Sequence, residues 1–233
     1  MLKLILVGII LLLTLEADNK EALEAFKKSD YVRAFELYEK SAKEGDTTAQ
    51  SALSYLYANG LGVEKNIDKS IYWLQKAAYG NNSAAQYDLG MIYLGGHNVK
   101  KDTKKAFEYL SKSSEQNNSN AQYNLALMYY NGDGVDANVT KSVELLERAA
   151  SAGHQKAEQN IGRIYMQLLK FKEASKWLEK NAKNGDDSAY YLLAELYCQL
   201  EEFDKAKKWA QKAIDIGDKE AEILYKEYKL EKY

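Results

Sequence analysis

The chain has 233 residues, 46% of them apolar and 28% charged, with a formal charge of −2 from 32 basic and 34 acidic side chains. This is the composition of a soluble globular protein. It offers no basic patch to neutralise phosphates, so nucleic acid is excluded as a partner. Proline is absent and cysteine occurs once. Helices can therefore run uninterrupted, and there is no internal disulfide framework.

The first element is Leu4–Leu15, an apolar run broken only by Gly8 and Thr14 and preceded by Met1-Leu2-Lys3. A spanning helix needs ~20 apolar residues. A short charged start followed by an apolar core of roughly 7–15 residues is the pattern of a secretory signal. Residues 1–17 are expected to be a signal peptide, although Leu15-Glu16-Ala17 matches a small-x-small cleavage site poorly. The alternative is an uncleaved N-terminal anchor. Export implies a periplasmic or secreted protein. An uncleaved anchor implies attachment to the inner membrane through this segment alone.

From residue 18 onward the chain repeats itself. "AQYDLGMIYLGG" begins at Ala85 and "AQYNLALMYYNG" at Ala121. The opening alanine recurs as Ala49, Ala85, Ala121, Ala157, Ala189 and Ala221, in steps of 36, 36, 36, 32 and 32. Four residues on stand Leu53, Leu89, Leu125, Ile161 and Leu193; eight on stand Tyr57, Tyr93, Tyr129, Tyr165 and Tyr197. These offsets put all three on one face of a helix, helix A of each repeat. A second track in the same steps holds only small residues: Ala34, Ser70, Ala106, Ser142, Ala174 and Ala206. Three positions on comes Leu37, Trp73, Tyr109, Leu145, Trp177 or Trp209, read as an apolar plug beside a close helix approach in helix B. A third track holds only Gly and Asn: Gly45, Asn81, Asn117, Gly153, Gly185 and Gly217. Both tolerate the left-handed backbone that closes a helix, so each helix B is expected to end there.

The 36-residue copies carry an extra loop, "NGLGV", "GGHNV" and "NGDGV", starting at Asn59, Gly95 and Asn131. Gly62, Asn98 and Gly134 align as a second left-handed position. Val63, Val99 and Val135 are expected to plug the loop down. Asn66, Asp102 and Asn138 are expected N-caps of helix B. The resulting division is a signal or anchor (1–17), a short first hairpin (18–45), three 36-residue repeats (46–153), two 32-residue repeats (154–217) and a C-terminal capping helix (218–233).

"AQYNLALMYYNGDGVDANVTKSVELLERAASAGH", from Ala121, resembles the Sel1-like repeat, a variant of the tetratricopeptide repeat. That pattern is A-x-x-x-L-G-x-x-Y-x-x-G-x-G-V, a spacer, K-A and a closing A-A-x-x-G. Ser54, Ala126 and Ala194 replace the helix-A glycine, and Ser113-Ser114 replaces the alanine pair. The resemblance implies an all-α fold, a right-handed α-α superhelical solenoid of hairpins with about 12–13 helices. Stacking fits the physics, because one hairpin cannot bury its apolar face alone.

The resemblance also implies a concave groove lined by helices A, at positions two, six and nine after the opening alanine. There the chain places Tyr55, Tyr87, Met91, Tyr123, Leu127, Tyr130, Arg163 and Tyr191. Tyr, Met and Arg are frequent in binding hot spots and adaptable surfaces. The expected partner is a protein or peptide of the cell envelope. The alternative is that these residues are ordinary packing between helices A. Some cysteine-rich relatives are described as penicillin-binding or β-lactamase proteins, which sets a hydrolase reading beside the adaptor. The chain has no S-x-x-K, K-T-G or G-x-S-x-G, and its only histidines, His97 and His154, lie 57 positions apart. No catalytic, metal or cofactor residues are assigned, and Cys198 is read as a half-buried helix residue.

Overall fold

In the computed structural model, which describes residues 18–233, helices stand where the alanine and small-residue tracks place them. The expected signal or anchor lies outside the described residues. Thirteen α-helices follow one another, with no strand among the described residues. They are α1 (18–27), α2 (Tyr31–Lys43), α3 (Thr47–Asn59), α4 (Ile67–Tyr79), α5 (Ser83–Gly95), α6 (Thr103–Glu115), α7 (Ser119–Asn131), α8 (Val139–Ser151), α9 (Gln155–Gln167), α10 (Phe171–Lys183), α11 (Ala189–Gln199), α12 (Phe203–Asp215) and α13 (Lys219–Glu227). A 3₁₀ turn, Leu230–Lys232, closes the chain, and its Leu230 is fully buried. Odd-numbered helices are helix A and even-numbered ones helix B.

The residues form two compact units. Among the described residues the first is 18–121 with Asp133–Val135; the second is Gln122–Gly132 with Asp136–Tyr233. In each, helices A and B pack through the predicted tracks. Every opening alanine is at most 1% exposed, and every small helix-B residue at most 8%. Leu145 is buried as expected, but elsewhere the plug is placed differently from the sequence expectation. Leu37, Trp73, Tyr109, Trp177 and Trp209 are only half-buried. The buried side chains stand one residue later, at Tyr38, Leu74, Leu110, Leu146, Leu178 and Ala210. In a helix of 3.6 residues per turn, position i+4 sits almost directly over i, while i+3 swings to the rim. The large rings therefore seal the edge of the interface, and the leucines fill it. Each fully buried leucine contributes about 1.5–3 kcal/mol.

All six Gly/Asn closers of helix B have positive φ, from 63° at Asn117 to 101° at Gly45. The Asn82 amide reaches Ala77 O at 3.0 Å and the Asn81 amide reaches Ala78 O at 3.1 Å, which satisfies carbonyls the helix end leaves over. The three short turns use the same device with other residues. Ser29, Leu169 and Glu201 have φ of 62°, 56° and 58°. Asn66, Asp102 and Asn138 cap helix B as expected, each accepting the amide three residues on.

The departures from the repeat pattern are satisfied locally. Ser113 is fully buried, and its hydroxyl donates to Ser83 O at 2.8 Å. Ser54 and Ser70 pair through their hydroxyls at 3.1 Å. The repeated tyrosines carry lysines over their rings: Lys69 on Tyr57, Lys105 on Tyr93, Lys141 on Tyr129 and Lys205 on Tyr197, at 4.9–5.2 Å. Such pairs are worth about 0.5–1 kcal/mol at exposed sites.

Candidate functional site

Because the opening alanine, the leucine and the tyrosine of a helix A face its helix B, the positions between them turn the other way. In the first unit this leaves a cavity of about 650 Å³ between α3, α4 and α5. Its α3 wall is Thr48, Ser51, Ala52, Tyr55 and Ala58; its α5 wall is Ala84, Asp88, Met91 and Ile92. Ser54, Ser70 and Leu74 form the floor. Tyr55 and Met91 are thus brought together as walls of one space. Tyr55 is 53% exposed, with its ring edge on Phe26 at 6.0 Å between centroids. Tyr87 is half-buried and is not among the lining residues.

Asp88, three positions after the opening alanine, was not singled out by the sequence reading. It accepts no hydrogen bond and forms no ion pair among the described residues. Its side chain is exposed, and the partial burial it does have on the cavity wall pushes its carboxyl up. It lines the same open cavity as Ala52, Met91 and Ile92 and faces water. The sequence signal was available, since position three faces the same way as positions two and six.

In the second unit the candidate tyrosines are tied between helices A. Tyr123 of α7 stacks on His154 at 4.5 Å between centroids, and its hydroxyl accepts from Asn160 of α9 at 3.0 Å. Tyr130 donates to Gln167 at 3.0 Å and remains 39% exposed. Leu127 is half-buried and Arg163 exposed. Tyr191 of α11 is half-buried in a smaller cavity of about 260 Å³ with Glu195 and Gln199, with Glu220, Ile223, Leu224 and Glu227 of α13, and with Tyr228 just beyond it. Burial first, and then Glu195 and its acidic neighbours, push the Tyr191 phenol up. Packing between helices A thus claims part of the Tyr123 and Tyr130 side chains, while Tyr55 and Met91 border open space.

Among the described residues no group of His, Cys, Asp and Glu is arranged to hold a metal ion. No helix there is long and apolar enough to cross a membrane. Cys198 is 3% exposed rather than half-buried, and burial, with Glu195 and Glu227 nearby, pushes its thiol up to about 11. That keeps it protonated and unreactive at neutral pH.

The family model of the Sel1 repeat matches residues 25–46, 47–82, 83–118, 119–154 and 187–218. Comparison with curated proteins gives no match. Among solved structures, a protective antigen present in uropathogenic Escherichia coli strains, with an SLR fold, is 26% identical with a TM-score of 0.76. The alignment covers 89% of this chain and 47% of that one, so the chain spans about half the antigen's length. A Sel1 repeat protein from Oxalobacter formigenes is 27% identical, with a TM-score of 0.67 and coverage of 88% and 84%. Pseudomonas aeruginosa pilF, 14% identical over 93% of this chain and 97% of that one with a TM-score of 0.57, shares the fold.

Proposed function

We propose a function from one premise: the chain belongs to the Sel1 repeat family. Proteins of this family typically act as protein-interaction scaffolds. On our reading this one is an exported, non-catalytic adaptor that holds a protein or peptide of the cell envelope on its helix-A faces. The observation that carries the reading is the open, largely apolar cavity between α3 and α5, walled by Tyr55 and Met91. Apolar and aromatic walls with few polar groups are what a bound segment requires. Export rests on Leu4–Leu15, whose length suits a signal segment better than a span.

The test is capture from envelope extract with three proteins: wild type, Tyr55→Ala with Met91→Ala, and Tyr72→Ala. Tyr72 lies on α4 and is 51% exposed, which matches Tyr55 in accessibility. Loss of captured protein in the double variant alone supports the reading. Equal loss in Tyr72→Ala, or no loss in the double variant, removes it. Mass spectrometry of the mature N-terminus tests export: a chain beginning near Asp18 is expected, and one retaining Leu4–Leu15 places the protein on the membrane through that segment.

A further inference from the structure

We propose that the second unit holds a site for a guanidinium group, in a polar cavity of about 290 Å³ between the first turn of α9 and the C-terminal end of α10. The occupant is the side chain of an arginine, free or within a peptide. The site is separate from the α3–α5 cavity and stands whether or not that cavity binds a partner.

The observation that carries it is Asn181. Seven positions after the small residue that opens helix B, the other repeats hold Ser41, Ala77, Ser113, Ala149 and Ala213, all fully buried. Here the chain places an amide instead, and it is 3% exposed. Its Nδ2 donates to Glu158 O at 2.9 Å. That bond fixes how the amide is turned, because a carbonyl accepts only from the NH2 end. Oδ1 is left with no donor among the described residues, on a side chain that lines the cavity. Such an oxygen costs free energy that a donor in the cavity returns. Room for one comes from α11, which begins at its opening alanine, Ala189, whereas α9 begins two residues before its own, at Gln155.

The walls select the donor. No apolar and no cationic side chain lines the cavity. Glu158, its side chain 17% exposed, pairs with Lys180 at 3.2 Å. Asp186 accepts the Ser188 amide at 3.2 Å and hydroxyl at 2.6 Å on one oxygen, which leaves the other to receive a charge. The Asp186 amide donates to Asn181 O at 3.0 Å, so these two residues stand side by side. Asp187 and the carbonyl end of α10 add further negative potential, which rejects anions. A metal ion does not fit, since no group of His, Cys, Asp and Glu among the described residues is arranged to hold one. A cation with several N–H donors does. A guanidinium presents its donors in one plane and meets a neutral amide oxygen and a carboxylate together, whereas an ammonium is a compact, strongly hydrated point charge.

The probes are the N-acetyl amides of arginine, citrulline and lysine, a glycine pentapeptide with a central arginine, and methyl glucoside. Each is titrated into the isotope-labelled full chain, with the side-chain amide signals of Asn181, Gln155 and Gln159 as the readout. The arginine amide is expected to bind about tenfold or more tighter than the citrulline amide, which keeps the shape without the charge, and tighter than the lysine amide. Asn181→Ala, the residue that three other repeats use there, should fold and lose this preference. Asp186→Asn, which keeps an acceptor for Ser188, should weaken arginine about tenfold, and it decides alone if Asn181→Ala melts well below wild type. Tighter binding of the pentapeptide than of the arginine amide names an arginine within a chain as the occupant, and the reverse a free one. Arginine binding unchanged in the variants, equal binding of citrulline or lysine, or binding of the glucoside overturns the proposal. So does the absence of any shift, which leaves the cavity to water alone.

Discussion

Replacing Gly62 with alanine should destabilise the protein far more than the same change at Gly60 or Gly153. Gly62 has φ +69°, and a methyl group there would lie 2.1 Å from Tyr31 O, 2.3 Å from Tyr31 C and 2.7 Å from Val32 N. All three are backbone atoms at the start of α2, so no side-chain rotation relieves the clash. Gly60 has nearly the same φ, +68°, but its nearest neighbour would be Lys65 Cβ at 3.2 Å; Gly153, φ +82°, would meet nothing within 4 Å. All three variants carry the left-handed cost of about 1–2 kcal/mol. It is partly offset by about 0.4–1 kcal/mol from a stiffer unfolded chain. Only Gly62→Ala adds overpacking, about 1–3 kcal/mol or more. The expected losses are about 1 kcal/mol for Gly60→Ala and Gly153→Ala, and about 3 kcal/mol for Gly62→Ala. At roughly 2–4 °C per kcal/mol for a chain this long, melting followed by circular dichroism separates them, and amide exchange should place the Gly62 effect at the start of α2. A Gly62→Ala protein as stable as Gly153→Ala would refute the loop's close approach to α2.

Tyr165 donates to Glu147 at 2.5 Å, and burial, this bond and the charge of Glu147 hold its phenol well above the ordinary value. The stability it contributes is present below pH ~10 and lost as pH rises through the higher folded value; Tyr165→Phe should cost about 1.5 kcal/mol at neutral pH and flatten the alkaline loss in urea melts. His154 caps α9 by accepting the Ala157 amide on Nδ1 at 3.1 Å, and burial lowers its pKa. Its contribution is therefore present above pH ~6.5 and lost as pH falls through the lower folded value; His154→Asn, which caps at any pH, should reduce the acid loss in melts between pH 7 and 5. Cys198 should react with an aromatic disulfide reagent only as fast as the second unit opens, and rapid labelling of the native protein would contradict its burial.

The helix register, the Gly/Asn closers and the N-caps of helix B were all legible, because each rests on a local backbone demand repeated at a fixed spacing. Ser29, Leu169 and Glu201 escaped notice. They adopt the same left-handed turn, but no residue preference marks them; only their register with one another could have done so. The plug was assigned one residue early because large rings at position three draw attention, while the buried leucines at position four look like ordinary helix content. Within the candidate site, position six of helix A pointed to Tyr55 and Met91, which line one cavity. Asp88 was passed over as one more carboxylate among many, since its missing partner is visible only once the helices are packed. The ties of Tyr123 to Asn160 and of Tyr130 to Gln167 depend on helix-to-helix spacing that sequence periodicity does not contain.

The central claim is that the helix-A face between α3 and α5, rather than the outer face of helix B, meets the partner. A photoreactive phenylalanine analogue placed in living cells at position 55, and in parallel at position 72, tests it most directly. These two sites are equally accessible, 53% and 51% exposed. The account predicts a discrete cross-linked adduct from position 55 that Met91→Ala weakens, and none from position 72. The same adduct from position 72, or none from position 55 while 72 yields one, would contradict it.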